Sequence, residues 1–545
     1  MASVSFSRLA TLRSLVIDDQ AGMRQNMRLH LGQLGMTRVD QAATPDEAIH
    51  FVESNRYDVV VCDYNLNNET NGQHLLEFFR SHNLLPESTI FIMVTAESSY
   101  GSVAGAAEFK PDAYMIKPLT ATKLAERIER MLDKQNSFLP ITQYIARKDT
   151  AGAIVACDEL LAAEPKWIVE ILKLKGRMLL ELRRVDEARA LYHSALSLRS
   201  DLVWASLGLA KCEVIAGQPA KARSMVETLL AKHTQYIEAY DLLAQVAEST
   251  GNSDVALDAL SRSARIIPSA PRSRLVGDAA YRVGDLAQAE EAFSQAVKLS
   301  KGSMTGQASD LISLAQVYVD SGNADAALQV FTGVPRRYVE APQFIAAQAA
   351  MQAQAYAKLG DLAQAKQAFS VAMEHAGETG ETGQTGRSDS ATLGLARAAF
   401  AVGQDDYAAE LIADAIKSDH ENRFLVAQAR RVLSDAGKEE LIAELIDRPM
   451  NECLAVIAEA NALMRGAQFE ASLSKLEEAL DNMPQNTGVL MAAAQIYLLW
   501  MSQKGVNQEY VTRVNGYLAK LEQLIPGNER VAKMHLFLQR ILEKS

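Results

Sequence analysis

The run Tyr57 to Asp63, Y-D-V-V-V-C-D, places four apolar residues between two acids and its opening tyrosine before them. A short apolar, β-branched run of this kind reads as a strand buried on both faces, as in a parallel sheet under helices. Asp63 then stands at the carboxyl end of the strand, where an open α/β sheet binds its ligands. The run alone decides nothing, because many buried strands end in an Asp that merely caps the next loop or helix.

Around this run, strand and helix signals alternate five times across the first 134 residues, the pattern of a doubly wound parallel sheet. Strands are expected near Leu12 to Asp18, Arg38 to Ala42, Val59 to Asp63, Thr89 to Thr95 and Ala113 to Ile116. The second helix carries a start signal: Thr44 as N-cap, Pro45 at the first helical position and Glu47 completing a capping box. A flavodoxin-like strand order 2-1-3-4-5 brings the carboxyl ends together at one crevice, which gathers Asp18 and Asp19, Asp63, Thr95 and Lys117. Two carboxylates 4 Å apart repel by about 1 kcal/mol in water and about 4 kcal/mol at an effective dielectric of 20, so a cation must sit among the three. Oxygen ligands without His or Cys suit Mg²⁺, which keeps several waters and bridges a carboxylate to a phosphoryl group. With the metal on one oxygen and the Lys117 ammonium on another, Asp63 can act as a nucleophile towards phosphorus. The Thr95 hydroxyl could then bond to a phosphoryl oxygen.

These residues resemble the receiver domains of two-component response regulators. The match is carried by V-I-D-D at Val16 to Asp19, V-V-V-C-D ending at Asp63, M-V-T-A-E at Met93 to Glu97 and Y-M-I-K-P at Tyr114 to Pro118, about the first quarter of the chain. The resemblance implies Asp63 as phospho-acceptor, with Asp18 and Asp19 as acidic-pocket residues. It implies Mg²⁺ on Asp19, Asp63 and the backbone carbonyl of Asn65, Thr95 and Tyr114 as the switch pair, and Lys117 as phosphate partner. The bond before Pro118 is typically cis in the family. Asn65 and Glu97 resemble positions that tune the lifetime of the phosphoryl group. The loop Y-N-L-N-N-E-T-N-G after Asp63 departs from the family, lacking Met-Pro and carrying Gly72 one residue late. The expected fourth helix carries Gly101 and Gly105, read either as a soft element beside the switch or as simple packing of small residues.

At 545 residues the chain exceeds one core and should divide into several domains or a repeat array. Lys+Arg 55 against Asp+Glu 67 gives a net charge of -12, which disfavours nucleic acid as partner. The four cysteines are scattered without CxxC spacing and look like reduced core residues of a cytoplasmic protein. No apolar run reaches the roughly 18 residues of a membrane span, and Met1 to Ala10 lacks the apolar core of a signal peptide.

After Asp133 the strand signals stop and a repeat begins. A Gly followed five residues later by Ala recurs as Gly217/Ala222, Gly251/Ala256, Gly284/Ala289, Gly322/Ala327, Gly360/Ala365, Gly403/Ala408 and Gly466/Ala471, extended backwards by Arg183/Ala188 and Lys148/Ala153. A Gly/Thr-rich insertion, Gly377 to Ser390, lengthens one step, and a weaker unit opens at Gly437. A period near 34 is that of tetratricopeptide (TPR) repeats, two antiparallel helices per unit. Twelve positions before each Ala the residue is small (Gly176, Ala210, Ala244, Gly277, Ala315, Ala353, Ala396); four after, it is larger (Tyr192, Val226, Leu260, Phe293, Phe331, Phe369, Ile412). These columns resemble the TPR pattern, although its tryptophan column is mostly absent and, of its loop prolines, Pro165 and Pro268 are the exceptions that stand. A related αα-solenoid is the structural alternative.

The expected architecture is therefore an α/β flavodoxin-like receiver over 1–134, a linker over 135–142, an all-α TPR superhelix over 143–486, and a degenerate repeat with a capping helix over 487–545. Counting from the Ala column places Lys173, Arg177, Trp204, Lys211, Asp241, Gln245, Arg274, Asp278 and Gln316 on a concave groove. Lys173, Arg177 and Lys211 form a basic patch suited to an acidic peptide or carboxy terminus, or else a solvated face with no ligand. The functional expectation is a phosphorylation-controlled protein-interaction switch fed by a sensor histidine kinase or phosphotransfer protein, with an unidentified protein or peptide in the groove. The alternative is a phosphate sink whose array anchors it to its kinase. No output enzyme constellation and no membrane insertion are expected. Homodimer formation stays open, since receivers pair through their last helices and TPR arrays self-associate.

Overall fold

The computed structural model describes residues 9–66, 71–86, 88–96, 111–147, 149–163, 166–300, 307–334, 341–376, 389–525 and 528–543. Glu97, Gly101, Gly105, Lys148, Pro165 and residues 377–388 of the insertion lie outside them.

Five parallel strands, β1 (Arg13–Ile17), β2 (Arg38–Ala42), β3 (Val59–Asp63), β4 (Ile90–Thr95) and β5 (Ala113–Ile116), form one sheet in the order β2-β1-β3-β4-β5. Every residue of β3 and β4 is buried, as a central strand covered on both sides requires. The period of two then splits their side chains between two cores. Val59, Val61, Ile90, Ile92 and Val94 join Leu31, Leu124 and Ile128 on one face; Val60, Cys62, Phe91 and Met93 join Leu75, Leu76 and Phe79 on the other. The register sets Asp63 beside Val94 and Cys62 beside Ile17, which aligns the acid-bearing strand ends.

Thr44 caps helix Pro45–Ser54 by accepting from the Glu47 N–H, but the Glu47 carboxylate accepts from Ala43 N–H at 2.7 Å rather than from Thr44. The reciprocal box expected there is thus displaced by one residue. A full box occurs instead at Asn71 and His74, opening helix Gly72–Ser81.

The expected linker 135–142 is not a linker. Helix Ala121–Ala146 runs through it, Pro140 included. Its first half contributes Leu124, Ala125 and Ile128 to the receiver core, and its second half contributes Phe138 and Ile141 to the core of the first repeat helices. Apolar burial at both ends outweighs the missing backbone donor at Pro140.

From Thr150 to Leu299 the described residues form paired antiparallel helices of about three to four turns. Gly217, Gly251 and Gly284 occupy the left-handed region between pair members, and Arg183 takes the same conformation in the pair that lacks the glycine. The two residue columns meet as volume complements. A Cβ at Gly176 would lie 2.7 Å from the Tyr192 ring, and one at Gly277 would lie 2.7 Å from the Phe293 ring. Tyr192 is also covered from the next pair, where a Cβ at Gly208 would lie 2.4 Å from its ring.

Residues 311–545 form a second compact unit. The same columns hold there with Ala in place of Gly, and Phe331 and Phe369 are only half-buried against Ala315 and Ala353. The weak unit after Gly437 is irregular: a 3₁₀ turn (Glu439–Leu441) and a π turn (Ala443–Asp447) lead into helix Arg448–Arg465, with Pro449 in its first turn. Gly466 keeps a negative φ, and Ala467 takes the left-handed position one residue later. Helices Thr487–Lys504, Gln508–Leu524 and Glu529–Glu543 end the chain around one apolar cluster.

Candidate functional site

The acids sit where β1 and β3 end. Asp18 follows β1, fixed by its own N–H to Ala42 O, and its carboxylate accepts from Gln20 N–H at 2.9 Å. Asp63 ends β3. Asp18, Asp19 and Asp63 each offer a carboxylate oxygen, all within 4.8 Å of one another. Asp18 and Asp63 are each only 6% exposed, so their mutual repulsion is poorly screened by water.

Among the described residues, a lysine bridges two of them. Lys117, just past β5, places Nζ 3.0 Å from Asp63 Oδ2 and 3.2 Å from Asp18 Oδ2. Its backbone N–H donates to Thr95 O at 2.8 Å, and the Lys117–Pro118 bond is cis. Burial disfavours the ammonium, but the two carboxylates outweigh burial and raise its pKa. Burial also raises the pKa of Asp63; Lys117 works against that shift, and Asp18 reinforces it. Burial is the largest of these contributions, so the net direction for Asp63 is upward. The donor set is three carboxylates with no thiolate or imidazole, the chemistry of a hard divalent cation such as Mg²⁺, and the residues fit that ion.

Thr95 is buried at the end of β4 and Tyr114 half-buried on β5, one strand apart on the same side of the pocket. The Tyr114 hydroxyl is buried with no hydrogen-bond partner among the described residues, and burial raises its pKa. Asn65 is exposed two residues past Asp63.

Two contributors escaped the sequence reading. Arg24, one turn into helix Ala21–Gln33, donates from one guanidinium nitrogen to Asp18 O at 2.7 Å and Asp19 O at 2.9 Å, pinning the loop that presents both acids. Its spacing from Asp19 puts it one helical turn away, a signal visible only once the helix start is known. Gly72, noted for arriving late, is where the loop after Asp63 folds back. A Cβ there would lie 2.2 Å from Asp63 O and 3.0 Å from the Cys62 and Met93 sulfurs, and its N–H donates to Tyr64 O.

The predicted groove residues divide. Lys173, Arg177, Lys211, Gln245 and Asp278 are exposed. Arg274 is spent on Asp310 and Asp241 on Arg272, both as paired hydrogen bonds between neighbouring helices. Gln316 donates to Asp320 at 2.9 Å. Trp204 is half-buried against the core cluster: its ring meets Tyr192 edge-on at 6.0 Å, and its indole N–H has no partner among the described residues.

Comparison with known proteins agrees with this geometry. Residues 15–129 match the model of the response regulator receiver domain, and residues 179–246 and 275–343 match tetratricopeptide repeat models. The chemotaxis protein CheY of Pseudomonas aeruginosa is 31% identical over 125 residues, 23% of this chain and 99% of that protein. Chemotaxis protein CheY-3 of Vibrio cholerae is 27% identical over 123 residues, 23% of this chain and 93% of that protein. Among solved structures, the BeF3-activated DrrB receiver domain is 25% identical with a TM-score of 0.20, covering 22% of this chain and 97% of that one. No helix among the described residues is long and apolar enough to cross a membrane. Sheet order, acid-lined strand ends and sequence kinship agree, and the chain belongs to the response regulator receiver family, with tetratricopeptide repeats following its receiver.

Proposed function

We propose that Asp63 accepts a phosphoryl group from a sensor histidine kinase or a phosphotransfer protein, and that the repeat array carries the output by binding a protein partner. The observation that carries this reading is the cluster of three acids, Asp18 and Asp63 buried and Asp19 half-buried, with the Lys117 ammonium bridging Asp63 and Asp18. An Asp63 carboxylate oxygen forms a bond to phosphorus, the phosphorus–nitrogen bond of the donor phosphohistidine breaks, and the imidazole nitrogen keeps the electron pair. Lys117, already at hydrogen-bond distance, stabilises the charge on the transferred oxygens. Asp18, Asp19, Asp63 and the backbone carbonyl of Asn65 would hold Mg²⁺, which supplies charge neutralisation at the phosphoryl oxygens when bound.

Phosphorylation adds about two negative charges beside the carboxylates of Asp18 and Asp19. Thr95 can donate its hydroxyl to a phosphoryl oxygen, and the Tyr114 hydroxyl, buried without a partner among the described residues, has a reason to move. Asn65 and Glu97 tune how long the phosphoryl group survives. The chain is divided as a receiver over 1–134, repeats up to 486 that begin inside the receiver's last helix, and a terminal segment over 487–545, working in the cytoplasm. Lys173, Arg177 and Lys211 form the basic part of the partner-binding face, with Arg274 held in reserve by Asp310.

Acetyl phosphate with Mg²⁺, or a cognate kinase, should add one phosphoryl mass to the wild type and none to Asp63→Asn. Affinity capture with the two proteins should then return a partner whose yield depends on Asp63. Absence of labelling from every donor would remove the reading, and equal capture by both proteins would turn it into a phosphate sink.

A further inference from the structure

Helix Ala121–Ala146 presents two faces with two different neighbours. One face, with Leu124, Ala125, Ile128 and the half-buried Met131 and Leu132, closes the receiver core. The other is a stripe at spacings of three and four residues, Arg127, Arg130, Lys134, Phe138 and Ile141, which an α-helix aligns along its length. Each member of this stripe has a described neighbour. The Arg127 guanidinium reaches Tyr114 O at 3.5 Å, on the strand of the proposed switch tyrosine. The Arg130 guanidinium lies over the Trp167 ring at 5.5 Å, and the Lys134 ammonium over the Phe138 ring at 5.8 Å. Phe138 and Ile141 are buried in the same cluster as Trp167, Ile171 and Tyr192.

Trp167 itself is 4% exposed and leads directly into helix Ile168–Glu181, the opening helix of a repeat pair. Beside this contact Lys166 pairs with Asp133 of the receiver helix at 3.3 Å, and the helix is tied to the receiver body where Gln135 donates to Ser88 O at 2.9 Å in the loop before β4.

We infer that helix 121–146 makes the receiver and the first repeat one cooperative unit, and that the state of the Asp63 pocket is read out at Trp167 through the Arg127–Arg130 stripe. A flexible tether would let a receiver and an array change independently; a helix that supplies side chains to both cores does not. A shift of β5 at Tyr114 moves the point on which Arg127 rests. The same rigid helix then carries the displacement to Arg130, three residues further along the stripe, and so to the indole of Trp167 beneath its guanidinium. The signalling part of this inference rests on phosphorylation of Asp63, whereas the cooperative part does not.

The chain contains three tryptophans, so Trp204→Phe with Trp500→Phe leaves Trp167 as the sole reporter in the full-length protein. Cooperativity is tested first, without any phosphoryl donor. Leu124→Ala, a receiver-core change, should lower the denaturant midpoint reported by Trp167, and hydrogen exchange should show helices 150–162 and 168–181 losing protection together with β1 and β3. Wild-type protection in those two helices despite loosened strands would overturn it. Signalling is tested next by adding Mg²⁺ with acetyl phosphate or beryllofluoride, with Asp63 modification followed by intact mass or by competition with acetyl phosphate. The Trp167 emission should shift with wild-type Asp63, stay fixed in Asp63→Asn, and lose its response in Arg130→Ala although Asp63 is still modified. A modified Asp63 with an unmoved Trp167 would sink the relay, while failure of every donor to modify Asp63 would count against the phosphorylation reading and leave the denaturation result to decide cooperativity.

Discussion

The receiver and the repeat array bury different things. Around Asp63 the fold buries charge: two carboxylates at the ends of apolar strands, beside the neutral hydroxyl of Thr95, offset by Lys117 and by the guanidinium that pins their loop. The repeats bury alanine and a few large rings, and spend their inner-face charges on one another, as Arg274 does on Asp310 and Arg397 on Asp320. The first arrangement costs stability and supplies reactivity; the second supplies stability and spreads recognition over a surface. Substitutions should therefore hit the array through volume and the receiver through electrostatics, and experiments can break that division.

The largest effect is expected where the volume match is tightest. Phe293, 2% exposed against Gly277, should cost about 3–5 kcal/mol as Phe293→Ala, whereas the half-buried Phe369 against Ala353 should cost clearly less. Hydrogen exchange in helices 286–299 and 362–376 measures each locally. Equal losses at the two sites would mean that the glycine in the small column contributes nothing to how deeply its ring is seated.

Next comes Gly72→Ala in the receiver. The added methyl meets the Asp63 carbonyl at 2.2 Å, a backbone atom that cannot rotate away, so the loop must shift at about 1–3 kcal/mol. Since the displaced atom belongs to the acceptor residue, labelling by acetyl phosphate should slow as well. A thermal transition lowered with unchanged labelling would separate the loop from the chemistry.

Much of this was readable from the chain because strand ends are local. Asp18, Asp63, Thr95 and Lys117 each close a short apolar run, and the sheet order does the rest. The small and large columns were readable too, since a helical repeat turns spacing into contact. What escaped were features fixed by a third dimension. Counting from the Ala column gives Trp204 an angle but not a depth, and the ring of Tyr192 that covers it comes from the preceding pair. The linker was misread because Phe138 and Ile141 look like isolated apolar residues until Trp167 and Ile171 stand opposite them. Gly72 looked like a misplaced turn residue until the Asp63 carbonyl was seen beneath it.

A smaller effect follows from the sign of the Asp63 shift. Burial holds its pKa above the ordinary carboxylate value, with Lys117 only partly reversing the change, so the charged form is disfavoured in the fold. In EDTA, Asp63→Asn should consequently raise the receiver's melting temperature. Mg²⁺ should stabilise the wild type by mass action and the variant less. A variant that melts lower without metal would show that the lysine bridge outweighs the repulsion.

The smallest effect tests whether the array holds any titrating group of its own. His420 is 3% exposed, and its Nδ1 lies 3.1 Å from the Asn486 amide nitrogen. An amide donor there requires a lone pair on Nδ1, which puts the ring hydrogen on Nε2 in the neutral form. A Cβ at Gly488 would lie 2.7 Å from the ring, so the imidazole occupies space that only a glycine there leaves open. Burial lowers the His420 pKa from the ordinary 6.5, with Glu421 and Asp419 opposing it. The unfolded chain therefore takes up a proton before the folded one does as pH falls. The stabilisation is fully present above 6.5 and is lost as pH drops below that value through the lower folded pKa. Hydrogen-exchange protection factors in helices 405–418 and 487–504, which remove the intrinsic pH dependence of exchange, should fall between pH 7 and pH 5, and His420→Gln should flatten that fall. If the variant keeps the same pH slope, the array's stability is set by packing alone, and the contrast with the charged receiver becomes sharper.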